Sequence, residues 1–387
     1  MGQTISVKGA SLARLRRSLR RHVKQGWARA VFARPGSEDD TQVLNGPGRD
    51  KSPSADEIDA LLAAAEQAAR DGLVKQTIVL DDRTRVRIDA RFGKAKVSHL
   101  DDEKIAKVMG GKARALRPDS SGESLRVIGI MNADGTISAK NAKKYKQVCH
   151  LVELCRPAWE RIATQRTIDD AHPLRVLDLG CGNSYLTFVI AEALRLAEVP
   201  AHLHGVDTRD DVIERSDARA KALGMSNMSF AVSSIRDTNL STADGAGPDL
   251  VLALHACDTA TDEALTRAVQ SGCRELFLAP RCQSELAGQL SSTPVRALLR
   301  QGLLKRDYAA TLTDALRIEL LEACGYIVDT VEFVASTHTP KNLLIRAHRR
   351  HPDAPVDPTR WHVDRVTAMC AELGVEPTAL RLLNNAG

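Results

Sequence analysis

An α/β fold, with an open and mostly parallel sheet doubly wound by helices, is what this sequence predicts for its second half. Three observations carry the prediction. First, Leu174–Leu179 alternates apolar residues around Asp178, turns through Gly180 and Gly182, and runs straight into an apolar helical pattern. A strand that turns on glycines into a helix is the nucleotide-binding corner of such a sheet. Second, short apolar runs recur at 202–206, 228–233, 249–256 and 275–279, spaced by helical or turn-rich stretches, which is the rhythm of consecutive β-α units. Third, the residues able to do chemistry gather just past these runs, where doubly wound sheets hold their ligands.

The glycine corner narrows the ligand. A G-x-G alone is a weak signal. A dinucleotide fingerprint wants a third small residue where this chain has Tyr185, so close approach of a pyrophosphate is disfavoured. Asp178, two residues before the first glycine, instead suits a ligand with an amino group, most simply S-adenosylmethionine. Asp178 and the amides around Gly180, Cys181 and Gly182 are then expected at its methionine end. Asp207, closing the second strand, is expected to accept from the ribose hydroxyls. Ser234 and Ile235, just past the third strand, are expected near the adenine.

A second cluster follows the fourth and fifth strands: His255, Cys257 and Asp258, then Arg281 and Cys282. His255, Asp258 and Cys282 are the candidate catalytic residues, and His255 also borders the cofactor pocket. One option is that His255 or Asp258 takes a proton from the substrate. A metal held by His255, Cys257 and Cys282 is another, although three ligands without regular spacing do not indicate a metal site. Packing of small, soft side chains is the third.

The segments GVDTRDD (205–211), LALHACDTATDEAL (252–265), APRCQSEL (279–286) and HTPKNLLIRA (338–347) together resemble one branch of the class I S-adenosylmethionine-dependent methyltransferases. It is the branch that includes the methyltransferase-like 25 proteins and bacterial relatives. The resemblance covers roughly residues 140–349, and HACDTATD is specific to the branch. It implies a seven-stranded sheet with a final antiparallel hairpin whose turn lies at the cofactor edge, placing His338 and Lys341 near the pocket mouth. Relatives usually carry two adjacent cysteines, then Gln and His, where this chain has Arg281, Cys282, Gln283 and Ser284. Arg281 and Lys341 are the candidate substrate contacts, a guanidinium being suited to an anionic group. A catalytically silent methyltransferase fold that binds RNA or a protein partner is the competing reading.

The chain has 387 residues, 43% of them hydrophobic and 27% charged, enough for one sizeable core and a smaller domain. No apolar run approaches the ~20 residues of a membrane span. Eight irregularly spaced cysteines imply a reducing compartment, so a cytoplasmic protein is expected. The net charge of +5 is mild, but residues 1–37 hold nine Lys or Arg and no acid. There Leu12, Leu15, Leu19 and Val23 share one helical face. A basic amphipathic helix touching RNA or an anionic membrane, a transit peptide of a eukaryotic organelle, and a solvated tail all fit.

Residues 35–53 read as a linker. Ser54 and Glu57 form a capping box for a helix ending at Gly72. Strands are expected at 75–80 and 84–92, with Arg83, Arg85 and Arg87 on one face. From Lys75 to Arg117 there are twelve basic and six acidic residues, and such a face can track a phosphate backbone. RNA is therefore the expected substrate, with protein or a small molecule as the alternative. Ser138 is expected to cap a long helix with Tyr145, Val148, Val152, Cys155, Trp159 and Ile162 on its apolar stripe. The expected organisation is a basic segment and linker at 1–53, a small α+β region at 54–117, a methyltransferase domain at 138–350 and a helical tail at 351–387.

Overall fold

A computed structural model describes residues 7–35, 41–47, 52–81, 84–99, 109, 114–240, 247–280, 283–291, 296–332, 343–357, 359 and 361–385. The chain divides into two compact units, 1–145 and 146–387.

The first unit is built on α1 (Gly9–His22), β1 (Arg29–Ala33), β2 (Thr41–Asn45), α2 (Ala55–Arg70), β3 (Lys75–Val79), β4 (Thr84–Asp89), β5 (Lys94–His99) and α3 (Gly122–Val127). Its strands form a five-stranded sheet in the order β2-β1-β3-β4-β5, every pair antiparallel. The capping box holds: Glu57 N–H donates to Ser54 Oγ at 3.2 Å and Ser54 N–H to Glu57 Oε2 at 2.7 Å. Leu61, Leu62 and Ala65 of α2 then pack with Ala30 and Phe32 of β1, Ile78 of β3, and Val86 and Ile88 of β4.

The N-terminal segment forms the amphipathic helix, with its apolar face turned inward. Leu15, Leu19 and Val23 are buried in that same core, so α1 is part of the first unit and not a loose tail. The supposed linker likewise contains β2, an edge strand whose TQVLN sequence is mostly exposed. Edge strands need no apolar run, and the pattern was correspondingly silent. Leu19→Ala should therefore destabilise the protein by about 2–5 kcal/mol, the cost of a core cavity, in urea unfolding followed by circular dichroism. A solvated tail would give no change.

The helix α4 (Ala139–Gln165) begins in the first unit and continues into the second, with Asn141 N–H donating to Ser138 Oγ at 3.2 Å. After it come β6 (Leu174–Leu179), α5 (Tyr185–Leu196), β7 (Ala201–Asp207), α6 (Asp210–Ala222), β8 (Met228–Val232), β9 (Leu250–Ala253), α7 (Thr259–Ser271) and β10 (Glu275–Leu278). The chain closes with α8 (Glu285–Gln289), α9 (Arg296–Leu299), α10 (Gly302–Ala323), β11 (Tyr326–Glu332), β12 (Leu343–Arg349), α11 (Asp364–Leu373) and α12 (Thr378–Asn384).

Seven strands make one sheet in the order β11-β12-β10-β9-β6-β7-β8. The neighbours among β6 to β10 run parallel, and β12 lies antiparallel to both β10 and β11. The order reverses at β6, with β7 on one side and β9 on the other. That switch point is where the carboxyl ends open a crevice for a ligand. At the opposite end of the sheet, Asp249 accepts from Arg166 Nη2 at 2.5 Å and from Arg175 Nε at 3.2 Å. Among the described residues no helix is long and apolar enough to cross a membrane.

Candidate active site at the glycine turn

The turn after β6 has three residues of positive φ at alternate positions: Gly180 at 69°, Gly182 at 57° and Ser184 at 55°. Glycine takes this conformation freely, whereas an L-residue is held there against a steric cost of roughly 1–2 kcal/mol. Ser184 is fully buried, 3.2 Å from Cys181 Sγ and 2.9 Å from Ser216 Oγ on α6, and these contacts fix it. It stands at the third place of a G-x-G-x-S pattern, a signal that a dinucleotide template passes over.

Asp207, at the end of β7, braces the turn. Its Oδ2 accepts the Gly182 N–H at 2.9 Å, and its Oδ1 accepts the Arg209 N–H at 3.1 Å and Arg209 Nε at 3.0 Å. Burial works to raise this carboxyl, but the hydrogen bonds from Arg209 and Gly182, with the Arg209 charge, hold it below the ordinary range. Arg209 was not foreseen, although a cation two residues past the acid at a strand end is readable.

Asp178 is the most unusual group of the site. It is buried, Thr187 Oγ1 donates to its Oδ2 at 2.5 Å, and its Oδ1 has no hydrogen-bond partner among the described residues. Burial raises its carboxyl to about 7, against the Thr187 bond and with a further push from the Asp207 charge. A buried acceptor left open beside a glycine turn fits a ligand that brings a donor or a positive charge.

The loop after β9 closes on the same turn. A Cβ at Gly182 would sit 3.7 Å from His255 Cγ and 3.7 Å from Arg209 Nη2, and one at Gly180 would sit 3.7 Å from Ala256. The His255 ring lies 5.7 Å from that of Tyr185. Asp178, Gly180, Cys181, Gly182, Asp207 and His255 are thus brought together. Ser234 and Ile235 make local contacts. Ser234 Oγ accepts the Asp237 N–H at 3.1 Å in a tight turn, and Ile235 packs in the core with Leu179 and Val206.

Asp258 faces away from proton transfer. Its carboxylate accepts Ser284 N–H at 3.1 Å, Ser284 Oγ at 2.5 Å and Glu285 N–H at 3.4 Å. Burial opposes ionisation there, but these bonds and the Arg317 charge win and hold the carboxyl below its ordinary value. A carboxylate so engaged clamps the loop before α8 and is a poor base. Cys257 is exposed. Arg83, Arg281, Cys282, His338 and Lys341 lie outside the described residues.

Residues 143–289 match a family model described as a methyltransferase domain. With the strand order and the glycine turn, that match marks residues 143–289 as a methyltransferase domain on a doubly wound α/β sheet. Solved structures similar to the chain include magnesium protoporphyrin IX methyltransferase (ChlM) from Synechocystis PCC 6803 with bound SAH. It is 17% identical with a TM-score of 0.34, and the alignment covers 60% of this chain and 94% of that one. The bifunctional kinase-methyltransferase WbdD is 17% identical with a TM-score of 0.33, over 52% of this chain and 39% of that one. No curated protein matches the chain.

Proposed function

We propose that this domain methylates RNA. The observation that carries the acceptor is the charge on one face of the first unit. Register pairs Thr77 with Arg87 and Arg87 with Lys96, and Lys75 with Asp89 and Asp89 with Lys94. Lys75, Arg85, Arg87, Lys94 and Lys96 therefore share the face opposite Val86 and Ile88, with Asp89 the sole acid on these three strands. Such a row suits a phosphate backbone. The HACDTATD segment supports placing the chain in the branch that includes the methyltransferase-like 25 proteins. The described cysteines are all free thiols, which supports a reducing, cytoplasmic setting.

When bound, S-adenosylmethionine supplies a methyl group on a positively charged sulfur. The residues of this chain then have mainly to position the two reactants in line. Asp178 and the amides of Gly180 to Gly182 would hold the methionine end, and Asp207 the ribose. His255, beside the turn, is the group we place to take a proton from the acceptor. Asp258 holds the neighbouring loop, and Arg281 and Lys341 remain our candidates for the acceptor side.

Asp207→Ala should weaken S-adenosylmethionine binding by about 1–3 kcal/mol in calorimetry, because it removes a charged acceptor and unbraces the Gly182 amide. Unchanged affinity in a folded variant would move the ribose contact elsewhere. The acceptor is tested by radiolabelled methyl transfer to a cell extract separated into RNA, protein and small-molecule fractions. Label in protein alone would overturn the RNA reading, and cofactor binding with no label anywhere would mark a silent fold.

A further inference from the structure

We propose that Arg29, Arg85 and Arg126 of the first unit form a binding site for a backbone phosphate of RNA. The inference rests on the RNA reading above and gives it a place on the molecule. Arg29 opens β1 and Arg85 lies in β4; both register with Val79 of the intervening β3. Their side chains accordingly share the sheet face away from the helices, with backbones about 10 Å apart across two strand spacings. Arg126 comes from α3, in a stretch tied to that face by Arg85 Nη2, which donates to the Gly135 carbonyl at 2.7 Å.

Two of these cations, Arg29 and Arg126, have no ion-pair partner among the described residues, whereas Arg85 feels the charge of Asp134. Among the described residues Arg126 Nε is buried without a hydrogen-bond partner, and its Nη1 reaches the Met131 sulfur at 3.8 Å. Ser121 Oγ, just before α3, is buried and unpartnered as well. Burial, with the charges of Arg29 and Arg85, brings the Arg126 guanidinium down to about 10 in spite of Glu123. An arginine desolvated among like charges is costly unless an anion completes it.

Guanidinium groups near enough to feel one another's charge match a phosphate, whose oxygens accept several charge-assisted hydrogen bonds at once. The site is also not isolated. Arg87, Lys75, Lys94 and Lys96 on the same face line a cavity of about 880 Å³, which Asp89 and Asp134 also border. A single phosphate would leave that strip unused, whereas a polyanion would cover both. We therefore assign the arginine site as the anchor and the lysine strip as the track of one RNA strand.

The test uses the full chain and a fluorescein-labelled single-stranded oligoribonucleotide of mixed sequence, with affinity measured across a salt series. Arg126→Gln and, separately, Arg29→Gln should each weaken binding several-fold at low salt and reduce the log–log salt slope by about 0.7. Calorimetry should show S-adenosylmethionine affinity unchanged in both. Arg126→Gln should also raise the unfolding temperature of the RNA-free protein by relieving the cation repulsion. Slopes and affinities equal to the parent's in folded variants would overturn the site. Tighter binding to phosphatidylserine vesicles than to RNA, lost in the same variants, would overturn RNA as the occupant. Label entering RNA from a variant that binds like the parent sinks the site and leaves the acceptor reading intact. RNA bound through the arginines without ever being labelled sinks the acceptor reading and supports the site.

Discussion

Asp178→Asn should bind S-adenosylmethionine ten- to a hundredfold more weakly than the parent at pH 8, a loss of about 1–3 kcal/mol for a charged hydrogen bond. The effect should shrink as the pH falls. In the ligand-free protein Asp178 titrates at about 7 because it is buried, so at pH 6 it is largely protonated and already resembles the amide. A positively charged ligand favours the ionised form. The parent's affinity should therefore rise with pH through 7, approaching tenfold per unit below that point and levelling above it. Calorimetry at pH 6, 7 and 8 reads this directly. A parent profile as flat as the variant's would remove Asp178 from the ligand's charged end.

The same carboxyl has a consequence for stability with the opposite sign. Its folded value lies above the ordinary 3.8, so between about 4 and 7 the native state holds a proton that the unfolded chain has released. Stability without ligand must fall as the pH rises through that window. Glu275 is also raised to about 7, by burial in spite of its Arg161 partner, and burial raises Asp262 as well, so the parent's curve mixes several groups. The difference between parent and Asp178→Asn isolates one. The variant should be the more stable protein at pH 8, and the two should converge towards pH 4. The site is thus destabilising until the ligand arrives, a common arrangement where binding chemistry conflicts with folding.

Where one face of an element is buried and the other wet, its pattern could be read from the residues alone. The parallel strands β9 and β10 are buried on both sides and appear as short apolar runs, β7 alternates at its start, and α2 announces itself through Ser54 and Glu57. In the first unit the strands at 75–79 and 84–89 were legible, and the other three were not. RAVFA and KAKVSH sit within basic stretches where charge conceals the period, and RAVFA also pairs with a strand far along the chain, at 75–79. At the site, Asp178, Gly182 and Asp207 were visible because each occupies a fixed offset from a strand end. The engagement of the Asp258 carboxylate was not. It depends on Ser284 and Glu285 amides supplied by a loop 26 residues further on, which no local pattern encodes.

Arg317→Met should cost about 3–5 kcal/mol of stability, the largest single effect expected in the second unit. Arg317 is 1% exposed, among the largest fully buried side chains. Its Nε donates to Asp262 Oδ1 at 2.7 Å, its Nη1 to Asp314 Oδ1 at 3.2 Å and its Nη2 to the Asp258 carbonyl at 2.9 Å. Burial raises the Asp262 carboxyl, and Arg317 opposes that rise. Methionine fills similar space but leaves Asp262 buried without its cation. The deficit should therefore be largest at pH 8 and narrow towards pH 5 as Asp262 takes up a proton. Adding Asp262→Leu should recover much of it, since an apolar pair of similar volume replaces a buried ion pair at little net cost. The third bond carries the consequence to the active site. Asp258 has φ 53°, an uncommon conformation for a residue with a side chain, and its carbonyl is held by Arg317. Without that bond the Asp258 carboxylate no longer fixes Ser284 and the start of α8. Glu285 in turn accepts from Thr378 Oγ1 at 2.6 Å, at the start of α12, so the C-terminal helix loosens with it. Methyl transfer should fall in Arg317→Met while S-adenosylmethionine affinity, which depends on the glycine turn, stays within about threefold, less than 1 kcal/mol. Urea unfolding at pH 5 and 8 checks the first half. A loss below 1 kcal/mol at both would show that solvent reaches this network after all.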